Sequence, residues 1–146
     1  MRQESRFVVP ARSSVGAQGL MQVMPATGKW VADKIGLSGY SARLLQDPET
    51  NVLLGTSYMR LIMEGLDTHP VLASAGYNAG PGRARRWRDA AELEGAIYTE
   101  TIPFDETRDY VKKVLANAVI YSAMLEKRPQ SLKARLGTIA PGVTSE

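Results

Sequence analysis

Cysteine is absent from this chain of 146 residues, and histidine occurs once, at His69. Without cysteine there can be no disulfide scaffold, zinc ribbon, thiolate cluster or cysteine nucleophile. A single histidine excludes a multi-histidine metal site and leaves only one candidate base for a serine or threonine triad. No apolar run approaches the roughly 18 residues that a membrane-spanning helix needs. The opening residues Met1-Arg2-Gln3-Glu4-Ser5 carry no apolar signal segment, so the chain reads either as cytoplasmic or as a piece of a longer one. A strong excess of one charge is also missing. Lys and Arg number 18 against 15 Asp and Glu, a net charge of +3, which permits an anionic partner and selects none. Hydrolytic chemistry, if the chain performs any, must lean on carboxylates.

What is present is a chain of one-domain length with 44% hydrophobic residues. Its patterning is helical. Tyr110, Val114, Ala118, Tyr121 and Leu125 recur at three- and four-residue spacing, widened by Val111 and Leu115. They predict a long, largely buried helix over residues 105–127, capped by Asp105 and closed by Lys127-Arg128-Pro129. Asp47-Pro48 opens a second helix whose apolar face is Leu54, Tyr58, Leu61 and Ile62, ending at Gly65. A third covers residues 70–78 and stops at Gly80-Pro81-Gly82, and Pro25 starts another that runs to Gly36. Short helical pieces are expected near residues 2–8, 20–24 and 83–91. Strand signals are scarce, and the tail after Pro129, with Gly137, Pro141 and Gly142, reads as irregular. His69, just before Pro70, reads as a turn residue, and the run Arg83, Arg85, Arg86 and Arg88 as a solvated helix face. That run has only Trp87 as an interleaved aromatic, which speaks against nucleic-acid binding.

Three clusters mix glycine turns with directional polar groups in a way that a core does not need and a sugar-binding cleft does. One is Glu4-Ser5 followed by the stretch from Ser13 to Pro25, whose residues 16–25 read G-A-x-G-L-M-Q-x-M-P. The next is Y-N-A-G-P-G-R-x-x-x-W, from Tyr77 to Trp87. The last is I-P-F-x-E-T-R-x-Y-V, from Ile102 to Val111, preceded by Glu100. Taken alone, their residues have ordinary readings: Glu4 and Glu106 as first-turn helix charges, Ser13 as a loop serine, Gln22 as a solvent-facing side chain. Likewise Met21, Tyr77 and Tyr110 suit core packing and Asn78 helix capping.

In this order and spacing the three stretches resemble the catalytic domain of the soluble lytic murein transglycosylases, peptidoglycan-cleaving enzymes with a goose-lysozyme-like fold. D-P-E-T-N at Asp47–Asn51 and G-T-S-Y at Gly55–Tyr58 fit the same family. The resemblance implies a mostly α, goose-type lysozyme-like helical domain with little or no β structure, over residues 1–128, followed by an irregular tail over 129–146. It implies one catalytic glutamate, for which Glu4 stands in the matching position. In the family this residue protonates the leaving oxygen and then takes the proton of the substrate's own C6 hydroxyl, closing a 1,6-anhydro ring. Substrate atoms thus replace the second carboxylate of ordinary glycosidases.

The same resemblance implies Ser13, Gln22, Met24, Tyr77, Asn78 and Glu106 as substrate-binding residues, with the Tyr77 hydroxyl near the glutamate; Tyr110, one turn on from Glu106 on the same helix face, is added as a further substrate-binding residue and Glu100 as a cleft-lining candidate. No cofactor and no metal is implied. The expected partner is the peptidoglycan glycan strand, not nucleic acid, and the expected compartment is the periplasm or cell envelope. Only Met1, Arg2 and Gln3 precede Glu4, where the family has helix, so an N-terminally truncated catalytic domain is expected, with any membrane association residing upstream. The alternatives are a lysozyme-type hydrolase on the same cleft and a non-catalytic glycan-binding remnant.

Overall fold

The structure is a computed structural model and describes residues 1–142. Positions 143–146, part of the expected irregular tail, lie outside the described residues. The chain divides into two compact units, Met1–Leu61 and Ile62–Glu146.

The first unit begins with turns and short bridges. Its regular elements are α1 (Pro25–Ile35), a 3-10 turn (Ala42–Gln46) and most of α2 (Pro48–Glu64). α1 starts where Pro25 presets the helical dihedral and stops at Gly36, whose N–H reaches back to Ala32 and Asp33. α2 starts as its sequence predicts: the Asp47 carboxylate accepts from the Thr50 N–H at 2.8 Å and from its hydroxyl at 2.7 Å. The core of this unit is Val23, Val31, Ala32, Leu45 and Leu54, with Met21, Ile35, Leu37, Tyr40, Tyr58 and Leu61 packed against it.

The second unit holds α3 (Pro70–Ala79), α4 (Pro81–Arg86), β1 (Leu93–Glu94), α5 (Gly95–Thr101), α6 (Asp105–Glu126), α7 (Leu132–Leu136) and β2 (Thr138–Ile139). α3 is buried without a break from Val71 to Gly76 and packs on α4 and α6. Gly80, at φ 95°, makes the corner between α3 and α4, a dihedral that a side-chain-bearing residue adopts only under strain. Leu66, Leu72, Ile102, Val111 and Leu115 fill the core. Tyr98 is fully buried among them and donates its hydroxyl to the Ala84 carbonyl at 3.1 Å; burial pushes its pKa up to about 12.

The mostly helical class is as expected, and among the described residues the β structure is one antiparallel strand pair, Leu93 opposite Ile139 and Glu94 opposite Thr138, with isolated bridges from Gln18 to Arg12 and Val23. Several local expectations need correction. Residues 129–142 are not wholly irregular. Ser131 caps α7 by accepting from the Ala134 N–H, and β2 finds its partner in β1, an association across 45 residues that local patterning cannot reveal.

α6 is not largely buried along its length. Its buried positions are Thr107, Val111 and Leu115, all in the first half. Beyond them Ile120, Met124 and Leu125 are 54%, 69% and 82% exposed. Nor does Asp105 cap α6: Phe104 occupies the cap position and Asp105 is the first helical residue. Residues 2–8 and 20–24 form turns and not helix, with Arg6, Phe7 and Gln22 at positive φ. The helix expected over 83–91 is α4 and ends at Arg86.

The arginine run also divides. Arg83, Arg85 and Arg86 are exposed, while the Arg88 side chain is 9% exposed. Its guanidinium pairs with Asp67 at 2.8 Å, and its Nε and Nη2 both donate to the Ala140 carbonyl. Nearby, His69 is more than a turn residue. Its Nδ1 accepts from the Val71 N–H at 3.3 Å, capping α3, and burial holds its pKa below the ordinary histidine value.

Candidate functional site

In the first unit the expected residues are carried by loops, and buried polar groups shape those loops. Glu4 lies in a turn whose backbone closes from Glu4 N–H to Met1 carbonyl at 3.1 Å. Its Oε1 atom is buried. Burial lowers the pKa of the Met1 amine, and the Glu4 carboxylate pulls it the other way, so the two groups are in electrostatic reach. The next residue, Ser5, is buried and donates to the Leu20 carbonyl at 2.8 Å, which fastens the Glu4 turn to the glycine-bearing loop.

That loop is a small hairpin. Gln18 and Val23 exchange both backbone hydrogen bonds, and Gln18 also bridges Arg12. Gln22 sits at its tip with φ 50°, and its side-chain amide donates to the carbonyls of Gly19 at 2.8 Å and Ala11 at 3.1 Å. Gln22 is therefore part of the loop's own scaffold, with its amide donors spent on backbone. Ser13 behaves alike: its hydroxyl accepts from the Ala17 N–H at 3.0 Å. Met24 is half-exposed at the cap of α1.

Beneath the hairpin lies Asn51, from the first turns of α2. It is 1% exposed and makes three hydrogen bonds to backbone: Oδ1 accepts from Met21 N–H, and Nδ2 donates to Gln18 and Leu45 carbonyls. Gly19 stands so close that a Cβ there would overlap the Asn51 amide, and its φ of 77° excludes most other residues anyway.

In the second unit the expected residues stand on helix ends. Tyr77 and Asn78 occupy the last turn of α3, both half-buried. Glu106 is exposed in the first turn of α6, where negative charge is favoured, and Tyr110 follows one turn on along the same face. Between them Thr107 is buried, and its hydroxyl donates to Asn78 Oδ1 at 2.6 Å. That bond joins the end of α3 to the start of α6. Glu100 is turned elsewhere. It pairs with Lys112 at 2.5 Å on an exposed surface, an ion pair of small energetic weight, and lines a hollow of about 250 Å³ with Thr99, Val111 and Leu115. An adjoining hollow of about 610 Å³, lined by Ala96, Leu132, Leu136 and their neighbours, contains none of the expected residues.

Sequence reasoning missed Ser5, Asn51 and Thr107 as the residues that hold the others. Each was inside a quoted motif, yet only burial separates a holding residue from a contacting one. Asn51 was the most detectable, as an amide three residues before Leu54 on an apolar helix face.

Residues 1–98 match the family described as the transglycosylase SLT domain, and residues 101–130 match the soluble lytic transglycosylase helical domain. The chain is 41% identical over 136 residues to the soluble lytic murein transglycosylase of Escherichia coli K12, covering 91% of this chain and 21% of that protein. It is 42% identical over 123 residues to the protein of the same description from Salmonella typhimurium, covering 82% and 19%. Among solved structures, an inactive mutant of the lytic transglycosylase from Pseudomonas aeruginosa superposes with a TM-score of 0.84 at 48% identity, over 90% of this chain and 21% of that one. The 70 kDa soluble lytic transglycosylase of E. coli gives 0.79 at 40% identity, over 85% and 21%. The chain thus spans about a fifth of the length of the curated relatives it matches.

Proposed function

This chain belongs to the transglycosylase SLT family, and on that premise we propose that it cleaves the β-1,4 bond between N-acetylmuramic acid and N-acetylglucosamine without water, leaving 1,6-anhydromuramic ends. Glu4 is the acid and then the base. Protonated, it gives its proton to the glycosidic oxygen as that bond breaks. As carboxylate it then removes the proton of the muramic C6 hydroxyl, whose oxygen bonds to C1. The proton balance closes on the enzyme, so no water is consumed.

The observation that carries this reading is the buried Oε1 of Glu4, in a turn tied to the glycine-bearing hairpin by Ser5. A general acid in this reaction must reach the glycosidic oxygen carrying its proton. The hairpin around Gln22, with Ser13, is the proposed glycan-contacting wall of the first unit. Asn78, Glu106 and Tyr110, with Tyr77, are the proposed contacts of the second. Peptidoglycan strands are the proposed partner, as the word murein in the names of the relatives supports, and the periplasm or cell envelope is the proposed compartment.

Mass spectrometry of digested peptidoglycan tests the reaction. Anhydro products are lighter than reducing-end products by one water. Release of reducing ends alone would replace the lyase assignment with a lysozyme-type hydrolysis. Glycan binding with no release would make the chain a binding remnant.

A further inference from the structure

We propose that Thr107 is a positioning residue that fixes the polarity of the Asn78 amide, so that Asn78 meets the glycan as a hydrogen-bond donor and selects a carbonyl oxygen. This rests on the proposed glycan-cleaving function and deepens it by naming what one contact reads. The observations lie within the second unit. Thr107 is 2% exposed, in the first turn of α6, and Asn78 ends α3, which packs on α6. The oxygen–oxygen separation of 2.6 Å suits a hydroxyl donating to the amide oxygen. An amide nitrogen donating to a hydroxyl would lie near 2.9–3.0 Å.

An asparagine side chain offers an oxygen that accepts and a nitrogen with two protons to donate, and a half-turn about its last bond exchanges them. With Oδ1 held by Thr107, that exchange is blocked. The Nδ2 protons have no partner among the described residues, and the side chain is only half-buried, so they face outward as donors. Their complement on a peptidoglycan strand is a carbonyl, as an N-acetyl group or a peptide unit presents; a hydroxyl can also accept but demands no such fixed polarity. Glu106, beside Thr107 in the first turn of α6, can only accept when ionised, so α3 supplies the donor through Asn78 and α6 an acceptor. Thr107 itself touches no substrate in this scheme. It acts through Asn78.

The test is a double-mutant cycle read in glycan-strand turnover and binding, beside the NMR signals of the Asn78 side-chain amide. Thr107→Val keeps shape and burial but removes the hydroxyl. It should raise KM for glycan strands about fivefold and leave kcat within about twofold, since one net hydrogen bond's worth of orientation is lost. Thr107→Ser should recover the affinity. In an Asn78→Ala background Thr107→Val should cost nothing further. Asn78→Asp keeps an oxygen for Thr107 but removes the outward donors, and should weaken binding as much as Asn78→Ala.

In the spectra the two Asn78 amide protons should be well separated with Thr107 or Ser and drawn together with Val. An equal loss from Thr107→Val with and without Asn78, or wild-type binding by Asn78→Asp, would overturn the proposal. If the unaltered chain binds strands but releases no muropeptide, the proposed reaction fails while the cycle, read in binding, still decides the role of Thr107. If Thr107→Val lowers the melting temperature too far to assay, the Asn78→Asp binding and the amide signals decide it alone.

Discussion

The two units hold their candidate residues by different physical means. In the first, Glu4, Ser13 and Gln22 sit in turns, and what fixes them is side chain to backbone bonding: Ser5 to Leu20, Ser13 to Ala17, Gln22 to Gly19 and Ala11, Asn51 to Met21, Gln18 and Leu45. In the second, Tyr77, Asn78, Glu106 and Tyr110 stand at the ends of packed helices, and one side chain to side chain bond, Thr107 to Asn78, joins the ends. A loop needs a buried polar hub because its backbone groups have no ladder to satisfy them. The helix-borne residues rely instead on the packed interface behind them, with local caps such as His69 on α3. The contrast teaches where each unit is vulnerable: the first to loss of a polar atom, the second to loss of packed volume.

The largest effect that breaks the comparison is chemical. Glu4→Gln should lower muropeptide release by 10²- to 10⁴-fold, roughly the worth of a general acid–base group, with glycan binding kept. No variant in the second unit should match it unless it unfolds the chain. Equal turnover by Glu4→Gln would remove Glu4 from the mechanism.

Next come the two stability predictions. Asn51→Ala strips three hydrogen bonds and orphans buried backbone groups, and should cost about 3 kcal/mol in urea unfolding. Leu115→Ala in the second unit should cost about 2–5 kcal/mol through its cavity, while Leu125→Ala on the same helix should stay within about 0.5 kcal/mol. A costly Leu125→Ala would mean that the outer half of α6 is covered in solution.

The smallest effect separates the units by pH. His69 has its pKa lowered in the folded state, so the unfolded chain binds its proton first. Stability should therefore fall as pH drops below about 6.5 and level off below the folded value. Asp47, in the first unit, also has a lowered pKa, owing to Thr50, but as an acid its contribution is present above about 3.9 and is lost only as pH falls through its folded value. His69→Asn, which keeps a capping side chain, should flatten the upper window and leave the lower one, as read by unfolding at pH 7.5, 5 and 3.

Much of this was legible in the sequence, for reasons that differ by element. The starts of α1, α2 and α3 were readable because proline and a preceding cap act within a few residues. The motifs placed the candidate residues because glycine, amide and carboxylate at fixed spacing are a chemical pattern. The fate of α6's outer half was not legible, since Tyr121, Met124 and Leu125 continue the apolar period whether or not anything covers them. Neither was β2, whose partner lies far away in the chain, nor the burial of Arg88 at the end of an otherwise exposed basic run. The hairpin at Gln18–Val23 was hidden for a third reason: its register is set by a buried asparagine from another element.

The Arg88 anchorage bears on the order in which a growing chain can complete itself. Arg88 meets the Ala140 carbonyl across 52 residues, and β1 meets β2 across nearly as many. During synthesis α3, α4 and β1 emerge with this edge unclosed. Until Thr138, Ile139 and Ala140 leave the ribosome, β1 has no strand to pair with and the Arg88 guanidinium lacks the carbonyl it serves. The second unit is thus finished from its far end, by a segment a few residues long that arrives after every helix it secures.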